Sequence, residues 1–106
     1  MEHFKLISRN VQAGYPEVEF TEIDKDRWEA RKVGIFSGPK YGYVHIDQDQ
    51  VIEIGGVGLS DKPWHFELEH EIWLKRNPQF EESKISKDEF ETVWKVALEF
   101  WKKAHN

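Results

Sequence analysis

Residues 22–38, EIDKDRWEARKVGIFSG, decide the fold. Phe20, Thr21 and Ile23 lead in as the end of a strand. Asp24-Lys25-Asp26 is turn chemistry, because an Asp carboxylate accepts hydrogen bonds from backbone N–H groups two residues on. Residues 28–36 then run without proline to Ser37-Gly38-Pro39, a strong stop. The stretch predicts a hairpin, with the rest of the chain built outward from it.

The second arm alternates imperfectly. Trp28, Ala30, Lys32, Gly34 and Phe36 share one parity, and Glu29, Arg31, Val33 and Ile35 the other. Either a bulge near Gly34 shifts the phase, or Glu29 and Arg31 share one face beyond the covered part of the core. The second reading is preferred, with the two side chains free to pair with each other or across strands.

Before the hairpin, Phe4–Ile7 reads as a short apolar strand and 10–16 as a loop carrying Gly14 and Pro16. Residues 18–23 alternate as a half-buried strand. After it, Tyr41–Ile46 and Val51–Ile54 read as strands flanking the polar turn 47–50, and Gly55-Gly56-Val57-Gly58 ends the series. Residues 1–54 thus predict four or five antiparallel strands with short loops. The character then changes. A short helix is expected from near Pro63 to Asn77, stopped by Pro78, with a strand over 64–68 as the alternative. Residues 77–84 read as linker. The last helix is the clearest element. Ser86 and Glu89 form a capping box, and Ile85 and Phe90 sit at the positions of a hydrophobic staple. Phe90, Val93, Trp94, Ala97, Leu98 and Trp101 recur at helical spacing. Acids at 88, 89 and 91 and lysines at 102 and 103 complement the helix dipole. The fold class is α+β, one domain over 1–106: an antiparallel sheet packed by a C-terminal amphipathic helix, with a short helix before it.

Composition narrows function. With 106 residues the chain supports one core. Mixed charges, five Trp and seven Phe argue against disorder. The absence of Cys excludes disulfides and thiolate chemistry. No secretory signal follows Met1, and the longest apolar stretches fall far short of the roughly 18–20 residues that span a bilayer. A cytoplasmic protein without membrane contact is expected. The net charge of −5 disfavours nucleic acid and favours a basic protein partner.

Glu22-Ile23-Asp24, then Arg27-Trp28-Glu29-Ala30-Arg31-Lys32-Val33, then Phe36 and Gly38, together with Ile85, Ser86, Glu89, Phe90 and Trp94, resemble the pattern of a family of small uncharacterised bacterial proteins. Members of that family tend to carry Glu where Gly34 stands and are shorter between the sheet and the last helix. The resemblance implies a compact α+β domain of bacterial source. By analogy, small acidic domains of this kind look like immunity proteins that protect bacteria from toxins.

Candidate chemistry is sparse. His65, Glu69 and His70 do not make a metal site, since His65 and His70 are five apart rather than the four that shares a helix face. Gly55–Gly58 lacks the lysine and helix of a phosphate loop. No catalytic residue, metal or cofactor is assigned. The acidic and aromatic middle of the chain remains: Asp47, Asp49, Glu53, Trp64, Glu67, Glu69 and Glu71. Tryptophan anchors with steering carboxylates suit an interface to a basic partner. The expected function is an immunity or antitoxin-type protein that covers the active site of a toxin domain, a basic nuclease being the fitting target. The alternatives are a small enzyme or ligand-binding domain using Glu29, Arg31 and His45 on the sheet, and a module that dimerises through a sheet edge. Oligomeric state is left open.

Overall fold

The structure, a computed structural model, describes residues 1–104. The elements in order are β1 (Glu2–Ser8), β2 (Val18–Ile23), β3 (Glu29–Phe36), β4 (Lys40–Asp47), β5 (Gln50–Ile54), α1 (Glu67–Arg76), β6 (Phe80–Ile85) and α2 (Lys87–Ala104). The strands form one antiparallel sheet in the order β5-β4-β3-β2-β1-β6. The β2–β3 hairpin is its central pair. Its turn is built as the aspartates require: Asp24 Oδ1 accepts from the N–H of Asp26 at 2.9 Å and of Trp28 at 3.0 Å.

The sheet has six strands rather than four or five, because residues 80–85 pair with β1 instead of acting as a linker. FEESKI lacks apolar alternation, being a polar edge strand of the kind that resists aggregation. The short helix starts at Glu67 rather than near Pro63, and residues 55–66 cross the sheet as irregular chain.

The irregularity of β3 lies neither near Gly34 nor in an uncovered stretch. Glu22 pairs with Arg31 but Ile23 pairs with Glu29, so Ala30 is an extra residue at a bulge. One inserted residue reverses the facing of everything before it. Glu29 and Arg31 therefore lie on opposite faces, against the expectation that they share one.

On one face α2 packs over Phe20 and Val33, with Phe90, Trp94 and Ala97 facing the sheet. Leu98, expected on this apolar stripe, is 38% exposed. Ser86 caps the helix, its Oγ accepting from the Glu89 N–H at 3.1 Å, which is the N-cap half of the expected capping box. Ile85 packs against the cluster that holds Phe90. Trp101 Nε1 donates to the Tyr41 carbonyl at 2.7 Å, fixing the far end of the helix to β4.

The opposite face is covered by residues 55–66 and α1. Gly34 and Gly42 are cross-strand neighbours. A Cβ at either would lie 2.7 Å from the Val57 side chain, so the glycine pair makes the hollow that Val57 fills. Ile23 and Val44 complete this second, smaller core.

Candidate functional site

The two polar residues of β3 that flank the bulge have separate surroundings. On the α2 face, Arg31 Nε and Nη2 donate to the two oxygens of Glu22 at 2.9 and 2.8 Å, and Nη1 and Nη2 donate to Glu91. Its guanidinium lies 4.9 and 5.0 Å from the rings of Phe90 and Trp94. His3 Nε2 is 2.8 Å from Glu22. Burial pushes the Glu22 carboxyl up, but the bonds and charges of Arg31 and His3 outweigh it and hold Glu22 below the usual carboxylate range. The Arg31 bond likewise lowers Glu91 against a smaller burial effect, and Glu22 raises Arg31. With its donors so engaged, Arg31 acts as a rivet between sheet and helix. His45 is its cross-strand neighbour and packs on Trp94 at 5.5 Å, under the same helix.

On the other face, the Glu29 side chain is 4% exposed. It accepts from the Ser60 N–H at 2.6 Å and from Trp64 Nε1 at 2.9 Å, and pairs with Lys32 at 3.0 Å. A buried carboxylate needs such partners, and here they bind the 57–64 segment to the sheet. Glu29, Arg31 and His45 thus do not converge on one site.

Below this segment is a cleft of ≈ 380 Å³ lined by Phe4, Leu6, Glu19, Thr21, Glu29, Ser60, Lys62, Pro63, Trp64, His65, His70, Trp73 and Glu82. One wall is a ladder of rings. Phe4 and Trp64 lie 5.1 Å apart, Trp64 and His70 5.0 Å, His70 and Trp73 5.9 Å, and Trp73 and Phe80 5.2 Å. At its middle His70 Nε2 lies 2.9 and 2.8 Å from the oxygens of Glu82, so Nε2 carries the proton that is shared. Glu82 carries no signal in the sequence, because FEESKI lacks the apolar alternation that marks a strand. The spacing of His70 admits two readings, a metal ligand or an exposed or interfacial polar residue, the second preferred; among the described residues no group of three His, Asp or Glu side chains is placed to hold a metal ion.

The ladder explains how α1 stays in place, for none of its residues is buried. Its first turn has no side-chain cap; only Asn77, donating from Nδ2 to the Trp73 carbonyl at 2.7 Å, closes the far end. The outer side is apolar at its centre. Leu68 is 70% exposed, Ile72 43%, and Phe66, just before the helix, 77%. Leu68 and Ile72 are one turn apart and share a face. By the 100° step of a helix, Glu71 and Lys75 flank them on one side, and Glu69 and Arg76 on the other.

The seven sequence-assigned contact residues do not form one patch. Glu67, Glu69 and Glu71 are exposed on α1, beside β6. Asp47, Asp49 and Glu53 are exposed around the β4–β5 turn, at the opposite edge of the sheet. Five strand spacings separate the edges, about 24 Å. Trp64 turns inward onto Glu29 and His70 and is not a surface anchor.

These features define a small α+β fold: one open antiparallel sheet, a helix riveted to one face, and an irregular segment with a weakly held helix on the other. The chain belongs to the family described as a domain of unknown function (DUF6881), whose model matches residues 9–99. No curated protein and no solved structure matches it. No helix among the described residues is long and apolar enough to cross a membrane.

Proposed function

We propose that this is a protein-binding antitoxin of the immunity type, which holds a basic toxin domain and covers its active site. The observation that carries this is the outer face of α1. A helix that has no fully buried residue and turns His70 and Trp73 to the ring ladder presents Phe66, Leu68 and Ile72 to solvent, an apolar surface available for another molecule. Glu67, Glu69 and Glu71 outnumber Lys75 and Arg76 around that surface and favour a cationic partner, and the net charge of −5 speeds its approach. A nuclease suits this chemistry, because carboxylates can occupy places prepared for phosphates. The reading now rests on α1 with Phe66, rather than on Trp64 or the β4–β5 turn. The alternative of an enzyme centre of Glu29, Arg31 and His45 is not favoured by this geometry, since the bulge parts Glu29 from Arg31 and His45.

The test is affinity purification from the producing cells followed by mass spectrometry, with growth rescue against the recovered toxin domain. Wild-type protein is expected to retain a basic toxin domain and restore growth. Leu68→Ser with Ile72→Ser is expected to weaken binding by at least about a hundredfold, and Glu67→Lys with Glu71→Lys to slow association. Absence of a toxin domain from the eluate, or full rescue by the Leu68→Ser/Ile72→Ser protein, would overturn the reading.

A further inference from the structure

The other end of the sheet carries a second surface with a different geometry. The β4–β5 connection is a two-residue turn, with Gln48 at φ 50° and Asp49 at φ 63°, closed by the pair Asp47 and Gln50. Two positive φ values make it a type I′ turn, so its closing pair is hydrogen-bonded. Antiparallel alternation then puts His45–Ile52 and Tyr43–Ile54 in the hydrogen-bonded set. The backbone N–H and C=O groups of Val51 and Glu53 consequently point away from β4, at the outer edge of the sheet, where β5 is the terminal strand.

Beside this edge is a shallow groove of ≈ 480 Å³, lined in part by Trp28, Ile46, Val51 and Leu59. Trp28 is 45% exposed, Ile46 51% and Val51 53%. Asp24, Glu53 and Asp61 also line it, and Asp47 and Asp49 belong to the β4–β5 turn next to Val51; Lys25, Arg27 and Lys62 are the cations on the neighbouring turns, with the Arg27 Nε bonded to the His65 carbonyl.

We infer that β5 accepts an extended cationic segment of another protein as a seventh strand. Outward-facing backbone groups supply the ladder, and Val51 with the groove supplies a pocket for one apolar side chain. Lysine or arginine two residues to either side of that side chain falls on the same face and meets Glu53 and the aspartates. A second copy of this chain is the poorer occupant: pairing β5 with itself brings Asp47, Asp49 and Glu53 of two chains to one edge, the repulsion by which natural edges avoid self-pairing. The inference stands apart from the α1 reading, which concerns the opposite edge.

The probe is the extended peptide Ac-KTKIVIKTK-amide, titrated into the whole protein and followed by amide chemical shifts. The expected result is saturable shifts centred on Val51 and Glu53, slower amide exchange at both, and affinity that falls with salt. Glu53→Pro removes an outward N–H without removing a β4 bond, and it is expected to weaken binding at least about tenfold. Val51→Lys should do the same while leaving the α2 amides unchanged. Equal binding of Ac-ETEIVIETE-amide, undiminished binding by Glu53→Pro, shifts confined to other strands, or no binding at millimolar peptide would each overturn the inference. A dimer that forms through β5 without peptide would do so too.

Discussion

Glu29 and Arg31 are two residues apart in one strand, yet Glu29 bonds Trp64 on one face of the sheet and Arg31 bonds Glu91 on the other. Ala30, the unpaired residue between them, lets one short stretch fasten both layers to the sheet. Glu29→Ala leaves the Ser60 N–H, the indole N–H and Lys32 without their shared acceptor. It is expected to cost about 3 kcal/mol, and Glu29→Gln about half that. Urea unfolding measures the cost, and hydrogen exchange should show residues 57–64 losing protection before α2.

Arg31→Met removes the cation between Glu22 and Glu91 and leaves Glu22 buried with only His3 as its side-chain partner. A loss of about 2–3 kcal/mol is expected, because a largely buried carboxylate stays behind. The double variant Arg31→Met/Glu22→Gln should recover part of it. The Glu22→Gln single variant completes the cycle, and a double variant whose loss is the plain sum of the two single losses would show that the two side chains are not coupled.

Acid should unfold the protein through the same group. Glu22 and Glu91 titrate lower in the fold than in the unfolded chain, so the unfolded state binds more protons as pH falls. Their contribution is complete above the unfolded value of about 4.3 and is lost as pH falls below it through the folded values. Glu22→Gln should flatten the slope of stability against pH in that window and leave the slope between neutral pH and about 5 unchanged. Chemical unfolding across that range reads it directly.

His70→Ala breaks the ring ladder between Trp64 and Trp73 and the contact with Glu82. Because α1 has no fully buried residue and its release returns the Glu82 carboxylate, 6% exposed in the fold, to water, the global loss should be small, about 1 kcal/mol. The local effect should be large: α1 amides are expected to exchange freely while those of α2 keep their protection. Unchanged protection in α1 would show that other contacts hold the helix.

Gly42→Ala should destabilise by about 2–3 kcal/mol, since its Cβ would stand 2.7 Å from the Gly55 carbonyl oxygen and 3.0 Å from that of Ile54. Backbone cannot yield as a side-chain tip can. Gly38→Ala makes the comparison. Nothing lies within 4 Å of its Cβ, and only its φ of +86° opposes the change, at about 1 kcal/mol.

Local rules made much of the fold readable. The Asp24 turn, the strands of the first half and the N-cap at Ser86 each depend on residues within a few positions of one another, so spacing alone reported them. A short helix before the last one was also expected, although it starts at Glu67 rather than near Pro63. Three things depended on partners distant in sequence. FEESKI becomes a strand only because β1 offers it an edge; Ala30 becomes a bulge only when β2 and the 57–64 segment compete for its neighbours; and Glu82 becomes a contact only when His70 is laid across it. The sequence by itself determined the central hairpin, the strands of the first half, the last helix and the charge. Tertiary structure decided which face each side chain meets, because one unpaired residue in a strand reverses facing in a way that composition does not record.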